Sequence, residues 1–229
     1  MLSIESLTVG YSNAVVINDC TLHLAPGLVH GLVGRNGAGK TTLLNAIFGL
    51  HPATAGTIQW NDEPTSPRNT IMLPAANYFY PKMTGEEYLQ IFAVQNPGLD
   101  IENWNAVFDL PLGDYVETYS TGMKQRLALM SALGSDSPVL LLDEPANSID
   151  LEGNFIMNKI LSAQAKAGRL IVITSHILGS LRDVCDKIHV LEDGKVLRSF
   201  ERGEFGELEG SIFHDVDEAL IAALSRGTV

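Results

Sequence analysis

Residues Gly34-Arg35-Asn36-Gly37-Ala38-Gly39-Lys40-Thr41 carry the pattern G-x-x-x-x-G-K-[ST], and these residue types at this spacing point to a polyphosphate. Glycines let the main chain turn tightly, so that successive N–H groups and a helix N-terminus converge on phosphate oxygens. Lys40 supplies a point charge between the β- and γ-phosphates, and the Thr41 hydroxyl is a ligand for Mg²⁺. The nucleotide-binding set read from this stretch is Gly34, Asn36, Gly37, Ala38, Gly39, Lys40, Thr41 and Thr42. The chemistry needs a strand before the loop and a helix after it. Both are present: apolar Val29, Leu32 and Val33 precede it, and a helix-like run from Thr42 to Leu50 follows.

A second acidic element completes the chemistry. Val139-Leu140-Leu141-Leu142-Asp143-Glu144 is four apolar residues followed by two carboxylates. In a parallel sheet, ligands bind at the carboxyl ends of the strands. Asp143 is therefore assigned to the Mg²⁺ shell, directly or through water, and Glu144 to the γ-phosphate. There Glu144 accepts a proton from, or orients, the attacking water, a role that contributes about 10²- to 10⁴-fold in rate. Adjacent carboxylates are tolerable when Mg²⁺ and Lys40 lie close by. The expected reaction is hydrolysis of a nucleoside triphosphate.

Those residues need rigid elements to hold them. Ile4 to Val9 alternates apolar and polar residues, and Thr21 to Leu24 and Val29 to Val33 follow at turn-separated intervals. Further strands are expected at Thr57 to Trp60, Ile71 to Leu73, Val139 to Leu142 and Leu170 to Thr174. Asp193-Gly194 between Ile188–Leu191 and Lys195–Ser199 is a hairpin signal. Residues 74–135 read as helical: Thr84-Gly85-Glu86-Glu87 fits a capping box, and Asp100 and Ser120 stand as N-caps of two later helices. A long helix is expected over Leu151 to Ala167, with apolar residues at 151, 155, 156 and 160. Strand–helix alternation with fully apolar strands predicts an α/β fold: a phosphate-loop core on a mostly parallel sheet covered on both faces. An antiparallel β subdomain opens it and a helical subdomain is inserted. The expected layout is a single domain, with residues 1–73 and 136–199 as core, 74–135 as helical lobe and 200–229 as an acidic tail.

Composition excludes several classes. The 229 residues are 45% hydrophobic and 18% charged, with a formal net charge of −12. Such a charge disfavours nucleic acid, whose binding relies on neutralising phosphates. Residues 201–229 hold Glu201, Glu204, Glu207, Glu209, Asp215, Asp217 and Glu218 against Arg202 and Arg226. Asp215 and Glu218 are spaced to cap a final helix running to Ser225. The two cysteines, Cys20 and Cys185, read as reduced core thiols in a cytoplasmic protein. The longest apolar run, Ala219 to Leu224, is far short of a membrane span of about 20 residues. No secretory signal is expected from Met1-Leu2-Ser3-Ile4-Glu5, and no direct insertion into a membrane.

The order of motifs resembles the ATP-binding subunit of an ABC transporter of the exporter type. Four features carry the resemblance: the phosphate loop, Tyr119-Ser120-Thr121-Gly122-Met123-Lys124-Gln125-Arg126, Asp143-Glu144-Pro145, and an isolated His176 after a strand. It covers residues 1 to about 199. It implies ATP and Mg²⁺ as ligands, a head-to-tail dimer (homo- or heterodimer) on ATP binding, and an integral membrane transporter subunit as partner on the cytoplasmic face. It further implies that Ser120 and Gly122 meet the γ-phosphate held by the neighbouring subunit, and that His176 senses the γ-phosphate. Asp150 would belong to a loop crossing the dimer interface, and Tyr11 would stack on adenine. The family's signature L-S-G-G-Q is matched here only at Ser120 and Gly122. The position after the Ile71–Leu73 strand, where the family has glutamine or glutamate, is Ala75. Asn77 to Met83, apolar and turn-rich with Tyr78, Phe79, Tyr80 and Pro81, suits docking of a partner's cytoplasmic helix and equally suits packing inside the helical lobe. A non-transport ATPase of the same type and a nucleotide-responsive interaction module are the alternatives.

Overall fold

The structure is a computed structural model that describes residues 1–11 and 14–208. Two sheets enclose one of its two cores. The first is antiparallel, built from β1 (Leu2–Tyr11), β2 (Ala14–Leu24), β4 (Ala55–Trp60) and β5 (Glu63–Pro64) in the order β2-β1-β4-β5. Strict alternation along β1 would turn Ser6 inward. Instead the pairing with β2 slips between Ile4 and Leu7 and Ser6 takes φ +47°, so Leu2, Ile4, Leu7 and Val9 all remain buried. An irregularity of this kind resets which face a side chain occupies.

The second sheet holds β3 (Val29–Val33), β6 (Thr70–Leu73), β7 (Val139–Leu142), β8 (Leu170–Thr174), β9 (Lys187–Glu192) and β10 (Lys195–Glu201). Its order is β10-β9-β3-β8-β7-β6, parallel throughout except for the β9–β10 hairpin. Asp193 and Gly194 both take positive φ at that hairpin, as its two-residue turn requires. Both faces of the sheet are covered, and the strands divide their residues between them. Val139, Leu141, Leu170 and Val172 join the core shared with the antiparallel sheet, and Leu140, Leu142, Ile171 and Ile173 join the other. This is why these strands are apolar at every position.

Helix α1 (Lys40–Phe48) follows β3 and fills the space between the sheets through Leu43, Leu44 and Ile47. The helical region contains α2 (Gly85–Gln95), α3 (Ile101–Phe108) and α4 (Thr121–Leu133), capped by Thr84, Asp100 and Ser120 as the sequence predicts. Thr84 and Glu87 form the reciprocal capping box. Helices α5 (Leu151–Lys166) and α6 (Leu178–Val184) complete the second core. The apolar positions 151 and 155 of α5 do not face that core: Leu151 is 90% exposed and Phe155 62%. Met157, Leu161 and Ala165 are the buried row, because an i, i+4 stripe on this helix meets β3 and β8.

Beyond β10, a 3₁₀ turn at Arg202–Glu207 brings Phe205 and Leu208 into the second core, so the acidic stretch begins as packed structure. The expected final helix to Ser225 lies outside the described residues. Among the described residues no helix is long and apolar enough to cross a membrane. Cys20 and Cys185 are buried and unbridged.

Candidate ATP site

The phosphate loop joins the end of β3 to the start of α1, and its glycines are required for different reasons. A Cβ on Gly34 would lie 2.2 Å from the Leu191 carbonyl oxygen, so β9 and the loop can approach only with hydrogen at that position. Gly39 has φ +105° and would place a Cβ 2.7 Å from Ile17 Cδ1. Gly37 (φ +86°) has open space where its Cβ would be, so its requirement is the left-handed backbone alone. Helix α1 starts without a side-chain cap and without an acidic residue in its first turn. Its first N–H groups and its positive dipole end are therefore left to an anion. Lys40 is buried at 8% exposure, and its Nζ donates to the carbonyls of Gly34 (2.8 Å) and Arg35 (3.3 Å). Two carbonyls thus hold the Lys40 Nζ at the loop, where phosphates would enter.

The acidic pair arrives from β7. The Thr41 hydroxyl donates to Asp143 Oδ2 at 2.8 Å, joining residues brought together only by the fold. The other oxygen, Oδ1, accepts from the Thr174 hydroxyl at 2.6 Å, and that same hydroxyl accepts the Glu144 main-chain N–H at 2.9 Å. Thr174, the last residue of β8, thus aims Asp143 and fixes the turn into Glu144. Sequence reasoning missed it. The available signal was a lone hydroxyl ending an aliphatic strand, since a buried hydroxyl must find a partner. Glu144 sits at φ +51°, a conformation uncommon for a non-glycine residue and concentrated at functional sites. Its Oε2 lies 2.8 Å from His176 Nδ1 and accepts the His176 main-chain N–H at 3.3 Å.

Glu144 and His176, 32 residues apart, therefore form one unit at the ends of adjacent strands. Tyr11 ends β1 beside the loop: its hydroxyl is 3.4 Å from Thr42 Oγ1, and its ring meets His51 edge-on at 4.4 Å. Ser120 and Gly122 open α4 on the helical region. Ser120 Oγ accepts from the Met123 N–H at 3.2 Å, and a Cβ on Gly122 would lie 2.9 Å from the Ser148 carbonyl. Asp150 caps α5 by accepting from the Gly153 N–H at 2.9 Å. Ala75 follows β6 with no donor or acceptor in its side chain, and the Asn77 amide donates to Gln125 Oε1 at 3.0 Å.

Thr41 and Asp143 suit Mg²⁺. Among the described residues no group of three or more His, Cys, Asp or Glu gathers as a metal site. A hydroxyl and one carboxylate beside an anion cradle match an ion that completes its octahedron with phosphate oxygens and water.

A parallel sheet with a phosphate loop after β3 and an Asp–Glu pair after β7, one strand removed across β8, defines a P-loop nucleotide hydrolase. The chain belongs to the ABC transporter family, as its ATP-binding, ATP-hydrolysing subunit: the family profile described as "ABC transporter" matches residues 17–147. It is 30% identical to the bacitracin transport ATP-binding protein BcrA of Enterococcus faecalis, over 97% of this chain and 77% of that protein. It is 29% identical to the ABC transporter ATP-binding protein YtrB of Bacillus subtilis, over 90% and 74%. A solved structure described as the ATP-binding subunit of an ABC transporter superposes with a TM-score of 0.84 at 26% identity, covering 94% of this chain and 97% of that one. A dimeric ATP-binding cassette in a post-hydrolysis state, at 20% identity and a TM-score of 0.79, shares the fold.

Proposed function

We propose that two copies of this subunit, or this chain and a close relative, close head-to-tail on two molecules of ATP. Each site is walled by the phosphate loop of one subunit and by Ser120 and Gly122 of the other. Lys40 and the first turn of α1 grip the β- and γ-phosphates, and Tyr11 packs on the adenine. Thr41 and Asp143 would hold Mg²⁺, which offsets phosphate charge in the transition state. Glu144 engages the attacking water, while His176 holds Glu144 and the γ-phosphate in register. Asp150 lies on the loop facing the partner subunit.

The cycle of closure and release drives transport through a separate integral membrane subunit, on whose cytoplasmic face this chain sits. The groove of about 470 Å³ beside residues 75–81 suits that contact, with Tyr78 and Tyr80 well exposed at its edge. The names of the relatives, among them bacitracin transport in one organism and "Nod factor export ATP-binding protein I" in Burkholderia orbicola, favour export.

The observation that carries this reading is the Glu144–His176 contact at 2.8 Å beside the Thr41–Asp143 bond. Its test is Glu144→Gln: turnover falls by at least about 100-fold while an ATP-bound dimer accumulates on size exclusion. Wild-type hydrolysis by that variant refutes the role of Glu144. Ala75 favours a second reading, a nucleotide-responsive module with negligible turnover. Phosphate release indistinguishable from that of Lys40→Ala would select it.

A further inference from the structure

We propose that Asn77 and Gln125 act together as positioning residues for Glu144, linking the groove beside residues 75–81 to the catalytic turn in a chain whose residue 75 carries no polar side chain. The inference rests on the reading of Glu144 as the residue that engages the attacking water. Gln125 lies in α4 and is 8% exposed, so both ends of its amide need partners. Its Oε1 accepts from Asn77 Nδ2 at 3.0 Å, and its Nε2 donates to the Pro145 carbonyl at 3.1 Å. Pro145 directly follows Glu144, whose positive φ depends on the path of the turn from Asp143 to Asn147. Within that turn the Asn147 N–H donates to the Glu144 carbonyl at 3.2 Å.

One amide thus spans two segments that would otherwise be independent. Ala75, Tyr78 and Tyr80 line the groove, and Gln125, Asn147 and Ser148 line the same groove from its other side. A displacement of residues 77–81 has two outcomes. Either Asn77 leaves a buried acceptor unpaired, or Gln125 follows it and releases the Pro145 carbonyl. In the second case the turn loses the side-chain bond that Gln125 makes to the Pro145 carbonyl, and the Glu144 carboxylate moves relative to the γ-phosphate. An ångström of misplacement at a reacting centre costs up to about 100-fold in rate, so tenfold is the expected scale for a partial shift.

The experiment is steady-state ATP hydrolysis by the purified full chain with two variants that cut the relay at different links. Asn77→Ala removes the groove-side bond. Gln125→Glu retains an acceptor for Asn77 but turns a carboxylate oxygen towards the Pro145 carbonyl. Each is expected to lower kcat by about tenfold with KM for ATP changed less than twofold. The double variant should be no slower than the singles, because both cut one chain. Wild-type kcat in Asn77→Ala overturns the proposal, as do effects that multiply to about 100-fold in the double variant. If Gln125→Glu does not fold, Gln125→Leu replaces it, and Asn77, which is only half-buried, still decides the question. Glu144→Gln is measured alongside. If it is inactive while Asn77→Ala is unaffected, only the relay fails; if it hydrolyses ATP normally, the reading of Glu144 fails and the relay with it.

Discussion

Replacing Thr174 by valine preserves shape and removes one hydroxyl. That hydroxyl is completely buried and makes two bonds, donating to Asp143 Oδ1 at 2.6 Å and accepting the Glu144 N–H at 2.9 Å. A hydrogen bond to a charged group contributes about 1.5–3 kcal/mol, and a buried N–H left unpaired costs about 1–3 kcal/mol. The two losses share one turn and do not fully add, so about 3 kcal/mol is expected for Thr174→Val. With a urea m-value near 2 kcal/mol/M, the unfolding midpoint falls by about 1.5 M. Function should fail in a specific way. Asp143 keeps Thr41 but loses the donor that fixes its second oxygen, and loss of such an orienting partner typically costs about 10- to 100-fold in metal affinity. The Mg²⁺ concentration for half-maximal hydrolysis should therefore rise at least about tenfold. Thr174→Ser, which restores the hydroxyl and leaves a methyl-sized gap, should recover the Mg²⁺ dependence while remaining less stable than wild type. A Thr174→Val protein with an unmoved urea midpoint and unmoved Mg²⁺ dependence would refute the claim that this residue aims the carboxylate.

Acid should weaken the fold through the buried pair His30 and His189, whose rings lie 3.1 Å apart between Nδ1 and Nε2. Burial first, then the charge of its neighbour His30, lowers the pKa of His189 to about 3, and burial lowers that of His30. Between pH 6.5 and 3 the unfolded chain binds a proton that the folded chain refuses, so this stability is complete above 6.5 and falls with pH. The slope approaches about 1.4 kcal/mol per pH unit for His189, or about 2 kcal/mol by pH 5. Urea midpoints at pH 7.5 and 5.0 should show it, and His189→Gln should flatten the difference. Gly34→Ala must push the loop off the Leu191 carbonyl, since its Cβ would sit at 2.2 Å; ATP binding measured by calorimetry should weaken by on the order of 100-fold. Tyr11→Ala should raise the ATP dissociation constant about tenfold, the scale of one lost base–aromatic stack, whereas Tyr11→Phe should bind like wild type; equal affinity in all three would remove Tyr11 from the adenine site.

Much of this was legible without coordinates, for a definite reason. A phosphate loop is a local device: its glycines, lysine and hydroxyl are contiguous, so their meaning survives in one dimension. Helix starts are equally local, and Thr84, Asp100 and Ser120 cap as their spacing suggests because each accepts from an N–H three residues on. The apolar strands β7 and β8 announced a sheet buried on both faces for the same reason of residue type alone. What the tertiary structure decided is where such segments meet. Nothing in the spacing of Thr41, Asp143 and Thr174 says that two hydroxyls hold one carboxylate, because that depends on β8 lying between β3 and β7. The face of α5 was equally hidden: Leu151 and Phe155 are as apolar as Met157 and Leu161, and only the contact with β3 and β8 chose the second pair for burial. Residue type is a property of a position, whereas partnership is a property of a pair, and here the pairs that matter are separated by 30 to 102 residues.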